Sequence, residues 1–446
     1  MNDNLSQTPA AAIKYLNKNT SSKWKIELPT TGLFKLIIVI PAINEYENLE
    51  PLLKSLIDND SNDFSKTLFL FVINNLASSD ESVKENNAKS LSLLSNIINK
   101  QKIKSEKLNS PEKELNIALI DASSKGNELP EKDGGVGLAR KMGMDAALNL
   151  FDYKSPGKNI IGCLDADCRV SNNYISEIFK NFNTNNLSAA HVNFTHPVRG
   201  HDKEKAAIIC YEIFLRYYLL GLKTADSPYA FFTIGSTMFC DVESYVKIGG
   251  MNKRKAAEDF YFMEKLAKIT KIEVIENAWV YPSGRGSWRV PFGTGQRVNR
   301  FLEGTHEEYT LYSIKSFLVL KDWLKIFMNG EVLKADEYLN EAKKIKKELH
   351  QFLIKNNFEK SWNKILANSQ NEKQINKQKI IWFDGFRTLK LIHYLRDTCF
   401  KNEPMFSQLD KIFELNNAPK KFNSGQELIP PLNIQQDYLK HLKSLT

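Results

Sequence analysis

Two carboxylate pairs and a set of arginines hold the positions where this chain can do chemistry. Asp165-Ala166-Asp167 ends an apolar run. In an extended chain alternate residues point to one side, which would put these carboxylates roughly 6–7 Å apart. Hard oxygen ligands so placed can share a magnesium or manganese ion with a diphosphate, and the ion would neutralise charge developing on a leaving group. The same pair can instead cap the helix that follows, over 172–182. Glu258-Asp259 opens an apolar helix. Two acids there can simply complement the helix dipole, or can place one carboxylate in a cleft as a general base with a raised pKa.

Three further segments carry candidate ligand groups. Gly134, Gly135 and Gly137 lead into a helix containing Arg140 and Lys141. Glycines let a backbone approach a ligand closely and a helix start favours phosphate. Arg140 occupies the last glycine's place in a dinucleotide fingerprint, so that motif is absent, as is a phosphate loop ending in GK[ST]. Pro41-Ala42-Ile43-Asn44-Glu45 follows the first apolar strand, where a tight turn can hold a base or ribose, or where proline can merely stop a strand and Asn cap a helix. The stretch 283–297 sets Arg285, Arg289 and Arg297 among glycines, Trp288 and Phe292. It suits either a cationic loop closing over phosphates or an interdomain linker. His191, His196, His201 and His306 lack zinc-site spacing and read as structural.

The elements that must position these residues alternate. Apolar runs at 36–40, 67–73, 115–123 and 159–167 read as buried parallel strands. Pro41 is expected to stop the first. A helix from Asn44 or Glu45 carries Leu49, Leu52, Leu53 and Leu56, a long polar helical stretch spans roughly 80–110, and the glycine loop opens a third helix. Four alternations of strand and helix indicate a doubly wound α/β sheet, in which ligands lie beyond the carboxyl ends of the strands. Residues 233–251 read as a small-residue turn, a short strand and a helix ended by Gly249-Gly250. Residues 1–34 read as a polar arm with one possible short helix, 305–420 as a helical extension, and 421–446 as an extended tail.

Composition narrows the classes. With 446 residues, 42% hydrophobic and 25% charged, 21 Gly and 15 Pro, the chain is neither collagen-like nor largely disordered. Five cysteines without CxxC pairing fit a reduced compartment. A net charge of +9 suits anionic partners, although much of the lysine lies between 313 and 421, where a solvated basic helical face is the plainer reading. No segment near Met1 has the form of a signal peptide. The most apolar stretch, 206–222, is interrupted by Glu212 and Arg216 and falls short of a membrane span. A cytoplasmic protein, with peripheral membrane contact through the lysine-rich end left open, is expected.

The order of the motifs says more than each alone. IIVIPAINEYENLEPLLKSL, VINNLASSD, GVGLARKMGMDAAL, GCLDADCRV and TIGSTMFC…KIGGM…AEDFYF, covering about residues 35–290, resemble the run of a family 2 glycosyltransferase. The resemblance implies a GT-A (Rossmann-like) fold over 35–304: a mixed, mostly parallel α/β sheet flanked by helices. It implies transfer of a sugar from a UDP- or GDP-sugar to a hydroxyl acceptor, with Mn2+ or Mg2+. Carried over by position, Pro41, Ala42 and Glu45 match the stretch holding base and ribose. Asn75 falls where such enzymes commonly place an Asp beside the base, a departure. Arg140 matches the basic residue near the diphosphate, and Asp165 and Asp167 the metal motif. Asp259, with Glu258 beside it, matches the base of inverting members; Gly235 and Ser236 match the acceptor-side turn. The PAINE stretch also resembles retaining glucosyl-phosphoglycerate synthases, so inversion is an expectation. A nucleotidyltransferase on this sheet would carry a glycine-rich basic loop after strand one, which is absent. A non-catalytic sugar-nucleotide-binding protein is the remaining alternative, and nucleic-acid binding lacks any recognition motif.

Overall fold

The computed structural model describes residues 8–19, 23–28, 32–103, 105, 108, 114–287, 293–420, 422 and 427–446. Its contacts divide the chain into two compact units.

The first unit comprises 1–197, 233–283 and 290–292, and is built on a nine-stranded sheet. Helix α1 (Ala10–Asn19) precedes β1 (Ile26–Glu27), β2 (Leu36–Ala42), α2 (Tyr46–Ile57), β3 (Thr67–Asn74), α3 (Glu81–Ile98), β4 (Asn116–Ala122), α4 (Val136–Ala147), β5 (Ile160–Cys163), β6 (Arg169–Val170), α5 (Tyr174–Thr184) and β7 (Ala189–Phe194). After the excursion into the second unit come β8 (Met238–Asp241), α6 (Val242–Lys247), α7 (Glu258–Ala267) and β9 (Glu273–Tyr281). The order is β1-β4-β3-β2-β5-β8-β7-β9-β6. The four strands β4, β3, β2 and β5 run parallel, and β8 is antiparallel to both neighbours.

Every residue of β2 and β3 is buried, which is why both read as unbroken apolar runs rather than alternating ones. Helix α2 buries Leu49, Leu52, Leu53 and Leu56, its one apolar stripe. Helix α4 lies against β2 and β3 with no room to spare, since a Cβ on Gly143 would overlap the Val39 side chain.

Several expectations change. Strand β2 continues through Pro41 to Ala42, because its pairing with β5 ends at Val39 and the missing proline N–H falls past that edge. Strand β5 ends at Cys163, so Asp165 and Asp167 do not lie on an extended strand. The Cys168 N–H donates to Asp165 O at 3.1 Å and closes a turn over 165–168, which removes the alternate-residue geometry. The polar helical stretch after β3 ends at Ile98. The amino-terminal arm is tied into the unit: β1 pairs antiparallel with β4, and Tyr15 of α1 donates to Asp145 at 2.7 Å while accepting from Lys141 at 2.7 Å.

The second unit comprises 198–232, 284–289 and 293–446. The helices Asp202–Thr224, Ile314–Phe327, Ala335–Ile345, Lys347–Lys355, Phe358–Asn368, Gly385–Thr398 and Met405–Leu415 share one apolar core, with Trp323 stacked on Phe327 and Phe358 on Trp362. The apolar stretch expected at 206–222 belongs to this core. Its interrupting charges pair internally, Arg216 to Glu212 at 3.0 Å and Lys443 to Glu212 at 3.2 Å, since buried charges persist only when paired. Among the described residues no helix is long and apolar enough to cross a membrane. The tail expected to be extended instead forms a helix, Leu432–Leu445, burying Tyr438, Leu439 and Leu442. Helical spacing after Pro431 is the signal that would have found it.

Candidate active site

Three segments of the first unit converge on Arg140. Helix α4 carries it, the turn after β5 brings Asp165, and the first turn of α7 brings Glu258. One guanidinium nitrogen, Nη2, donates to Asp165 Oδ1 and the other, Nη1, to Glu258 Oε1. Arg140 is 3% exposed and Glu258 equally enclosed. Asp165 is half-buried, so the arrangement runs from a closed interior towards an open edge. Burial alone would penalise the guanidinium cation; two carboxylates hold it charged. Its remaining nitrogen, Nε, has no hydrogen-bond partner among the described residues.

The clamp needs space that only small residues leave. The guanidinium rests against the backbone at Gly235, where a Cβ would overlap it. Gly235 lies in the turn 234–237, closed by the Thr237 N–H donating to Ile234 O at 3.0 Å. The neighbouring Ser236 is buried. Gly137, in the first turn of α4, packs on the Arg254 carbonyl so tightly that a Cβ would collide with it. Ala257, directly before the acid pair, has φ +58°, the left-handed region that costs a residue with a Cβ.

The adjacent acids of α7 have separate environments. Glu258 faces inward to Arg140, and the Asn252 side chain donates to its carbonyl at 2.8 Å. Asp259 is half-buried, and its Oδ1 accepts from the Phe260 N–H at 2.7 Å. Burial, and next the negative charge of Glu258, push the Asp259 carboxyl up to about 7 against the pull of Arg140. A carboxyl poised there exchanges a proton near neutral pH. Among the described residues no group of three His, Cys, Asp or Glu side chains is arranged to hold a metal ion. Asp165 and Asp167, both half-buried on the 165–168 turn, supply two hard oxygen donors. Magnesium-like ions are commonly held by one or two carboxylates plus substrate phosphates, so this donor set fits such an ion.

The last residues of β2 and the residues following β2 and β3 lie at neighbouring strand ends. Pro41, Ala42 and Glu45 are buried, and Glu45 accepts from Asn48 at 2.6 Å. Asn75 is 1% exposed and committed to the interior: its Nδ2 donates to Leu76 O at 3.0 Å and Ser123 O at 3.3 Å, while its Oδ1 accepts from Asn87 at 2.8 Å. Asn87 is a contributor that sequence reading passed over, whereas Gly137 belongs to the glycine loop it singled out. A polar residue at an apolar stripe position of α3 was the available signal for Asn87. Of the basic loop residues, Trp288 and Arg289 lie outside the described residues. Arg285 is exposed in the second unit, and Arg297 pairs there with buried Glu308 at 2.8 Å, beside Arg300 at 2.9 Å. His191 and His196 are buried, the former against the Val192 carbonyl. The five cysteines form no disulfide.

No family model matches this chain, and no curated protein matches it. Among solved structures it is similar to residues 1–349 of TarS from S. aureus, with a TM-score of 0.36 at 11% identity over 92% of this chain and 90% of that one. The same fragment solved with UDP-GlcNAc gives a TM-score of 0.37 at 11% identity, again over 92% and 90% of the two chains. A mannosyltransferase from Pyrobaculum calidifontis, in complex with GDP-Man and Mn2+, gives 0.36 at 14% identity over 88% of this chain and 95% of that one.

Proposed function

We propose that this chain is a glycosyltransferase that moves a sugar from a nucleoside-diphosphate donor, a UDP- or GDP-sugar, to a hydroxyl acceptor. The observation that carries the reading is the Arg140 clamp. It fixes Asp165 at the end of the parallel strands and Glu258 at the start of α7, and leaves Asp259 beside them with its carboxyl raised to about 7. The ordered motifs from Ile37 to Phe262 support it.

In this reading Asp259 takes the acceptor's proton as the hydroxyl oxygen bonds to the anomeric carbon, and the sugar–phosphate C–O bond breaks with its electron pair leaving on the diphosphate. Inversion follows from a single displacement. A manganese or magnesium ion held by Asp165 and Asp167 would supply charge neutralisation of that diphosphate. Arg140 acts by holding Asp165 and Glu258 in place, its charge already divided between them. Pro41, Ala42 and Glu45 shape the nucleoside end, Gly235 and Ser236 the acceptor side.

The test is calorimetric titration of the full chain with UDP and with GDP, each with manganese and then with EDTA. Manganese-dependent binding of one of them is expected, weakened by Asp165→Ala only when metal is present. Asp259→Asn should keep that binding and lose transfer from the matching nucleotide-sugar. Binding of neither diphosphate would overturn the reading.

A further inference from the structure

Helix α3 buries a stripe of Asn87, Ser90, Leu94 and Ile98. Spacing and burial ask for an apolar side chain at 87, and an amide there must recover its desolvation through hydrogen bonds. Asn87 does so completely, at 1% exposure. Its Oδ1 accepts from the Asn44 N–H at 2.9 Å, and its Nδ2 donates to Asn74 O at 3.0 Å and to Asn75 Oδ1 at 2.8 Å. All three bonds run to the chain segments leaving β2 and β3, and none stays within α3. Asn86 adds to the first segment, accepting from the Tyr46 N–H at 3.0 Å and donating to Glu47.

The partner at the β2 end is itself a strained turn, since Asn44 has φ +55°. Asn87 holds that N–H in place. The two strand ends it joins are neighbours in the sheet, with Ala42 in register with Ile73. The order β3-β2-β5 sets β5, from whose end the Asp165–Asp167 turn follows, two strand spacings, about 10 Å, to the side of β3. With a diphosphate at the β5 end, a nucleoside lies across the ends of β2 and β3.

We infer that Asn87 is a positioning residue for the donor nucleoside: it sets the relative placement of the 43–46 turn and the 74–76 segment from a helix that does not itself face the ligand. The inference rests on the glycosyltransferase reading. It assigns to Asn75 the task of receiving Asn87 and bracing Leu76 and Ser123, so that the base is read by the backbone these amides hold.

Asn87→Leu removes all three bonds while keeping an apolar-compatible volume in the stripe. Kd for whichever of UDP or GDP the wild type binds with manganese is expected to rise at least tenfold. Manganese-dependent binding of inorganic pyrophosphate, and kcat at saturating donor, are expected to change less than threefold. Asn87→Ala removes the same three bonds without bulk or charge to accommodate, gives a comparable rise in the same Kd and serves if the leucine variant does not fold. Lowered melting temperature with unchanged nucleotide Kd in both folded variants, or an equal loss of pyrophosphate binding, would overturn the inference alone. Failure of the wild type to bind either nucleoside diphosphate would overturn the glycosyltransferase reading and this inference with it.

Discussion

Replacing Asp259 by Asn should make the protein more stable in a pH-dependent way. Burial and the Glu258 charge raise the Asp259 carboxyl from an ordinary 3.8 to about 7 in the folded chain. A raised folded-state pKa means the native state binds the proton more tightly than the unfolded chain does. The resulting stabilisation is fully present below about pH 4 and is lost as pH rises towards 7. The shift is about three pKa units, and at about 1.4 kcal/mol per unit its ceiling is about 4 kcal/mol. Asp259 is only half-buried, so solvent screening reduces this to about 1–2 kcal/mol. An amide at 259 can still accept the Phe260 N–H and carries no charge to bury. The variant should therefore melt about 2–8 °C above wild type at pH 8, at roughly 2–4 °C per kcal/mol for a unit of this size. The gap should shrink as pH falls and vanish near pH 4. Differential scanning calorimetry of both proteins across that range measures it, and taking the difference cancels the other titrating groups. A gap that stays constant with pH, or a variant less stable at pH 8, would refute the argument that this carboxyl is strained towards neutrality by its surroundings.

Two other substitutions test the scaffold. Asn75→Asp, the residue the resemblance leads one to expect, sets a buried carboxylate against the Leu76 and Ser123 carbonyls that the amide now donates to. It should cost about 2–4 kcal/mol through lost bonds and unsatisfied acceptors, seen as a lower urea midpoint, and should not tighten UDP binding. A gain in UDP affinity at unchanged stability would contradict the internal role of Asn75. Gly143→Ala drives a methyl into Val39 and should cost about 1–3 kcal/mol by overpacking. Because α4 carries Arg140, the same shift should lower kcat/KM more than a surface alanine substitution on α4 does.

The fold of the first unit was legible because buried parallel strands leave an unmistakable record. Strand β2 is apolar throughout, Pro41 included, β3 is apolar at every position between Thr67 and Asn74, and Leu49, Leu52, Leu53 and Leu56 mark the buried face of α2. The placement of Asp165 beyond a strand end was legible for the same reason. Its geometry was not, since the chain leaves the strand after Cys163 and a single hydrogen bond from Cys168 decides the turn. The amino-terminal arm read as irregular because its anchor, Tyr15 on Asp145 and Lys141, joins residues about 130 positions apart. No local pattern encodes such a contact.

By itself, then, the sequence determined the alternation of strands and helices, the burial of the central sheet, and the candidate chemistry at Asp165, Asp167, Glu258, Asp259 and Arg140. Periodicity and residue type are local properties, and they suffice for that much. Only the tertiary structure decided how the acids divide their roles. Glu258 and Asp259 are neighbours with the same charge, and what separates them is which one Arg140 reaches across 118 residues of chain. Likewise the Asn75 amide is hydrogen-bonded within the interior because Asn87, on another element, meets it there. Electrostatic environment and hydrogen-bond partnership belong to the assembled fold, and these set the function of a carboxylate or an amide whose type alone leaves it open.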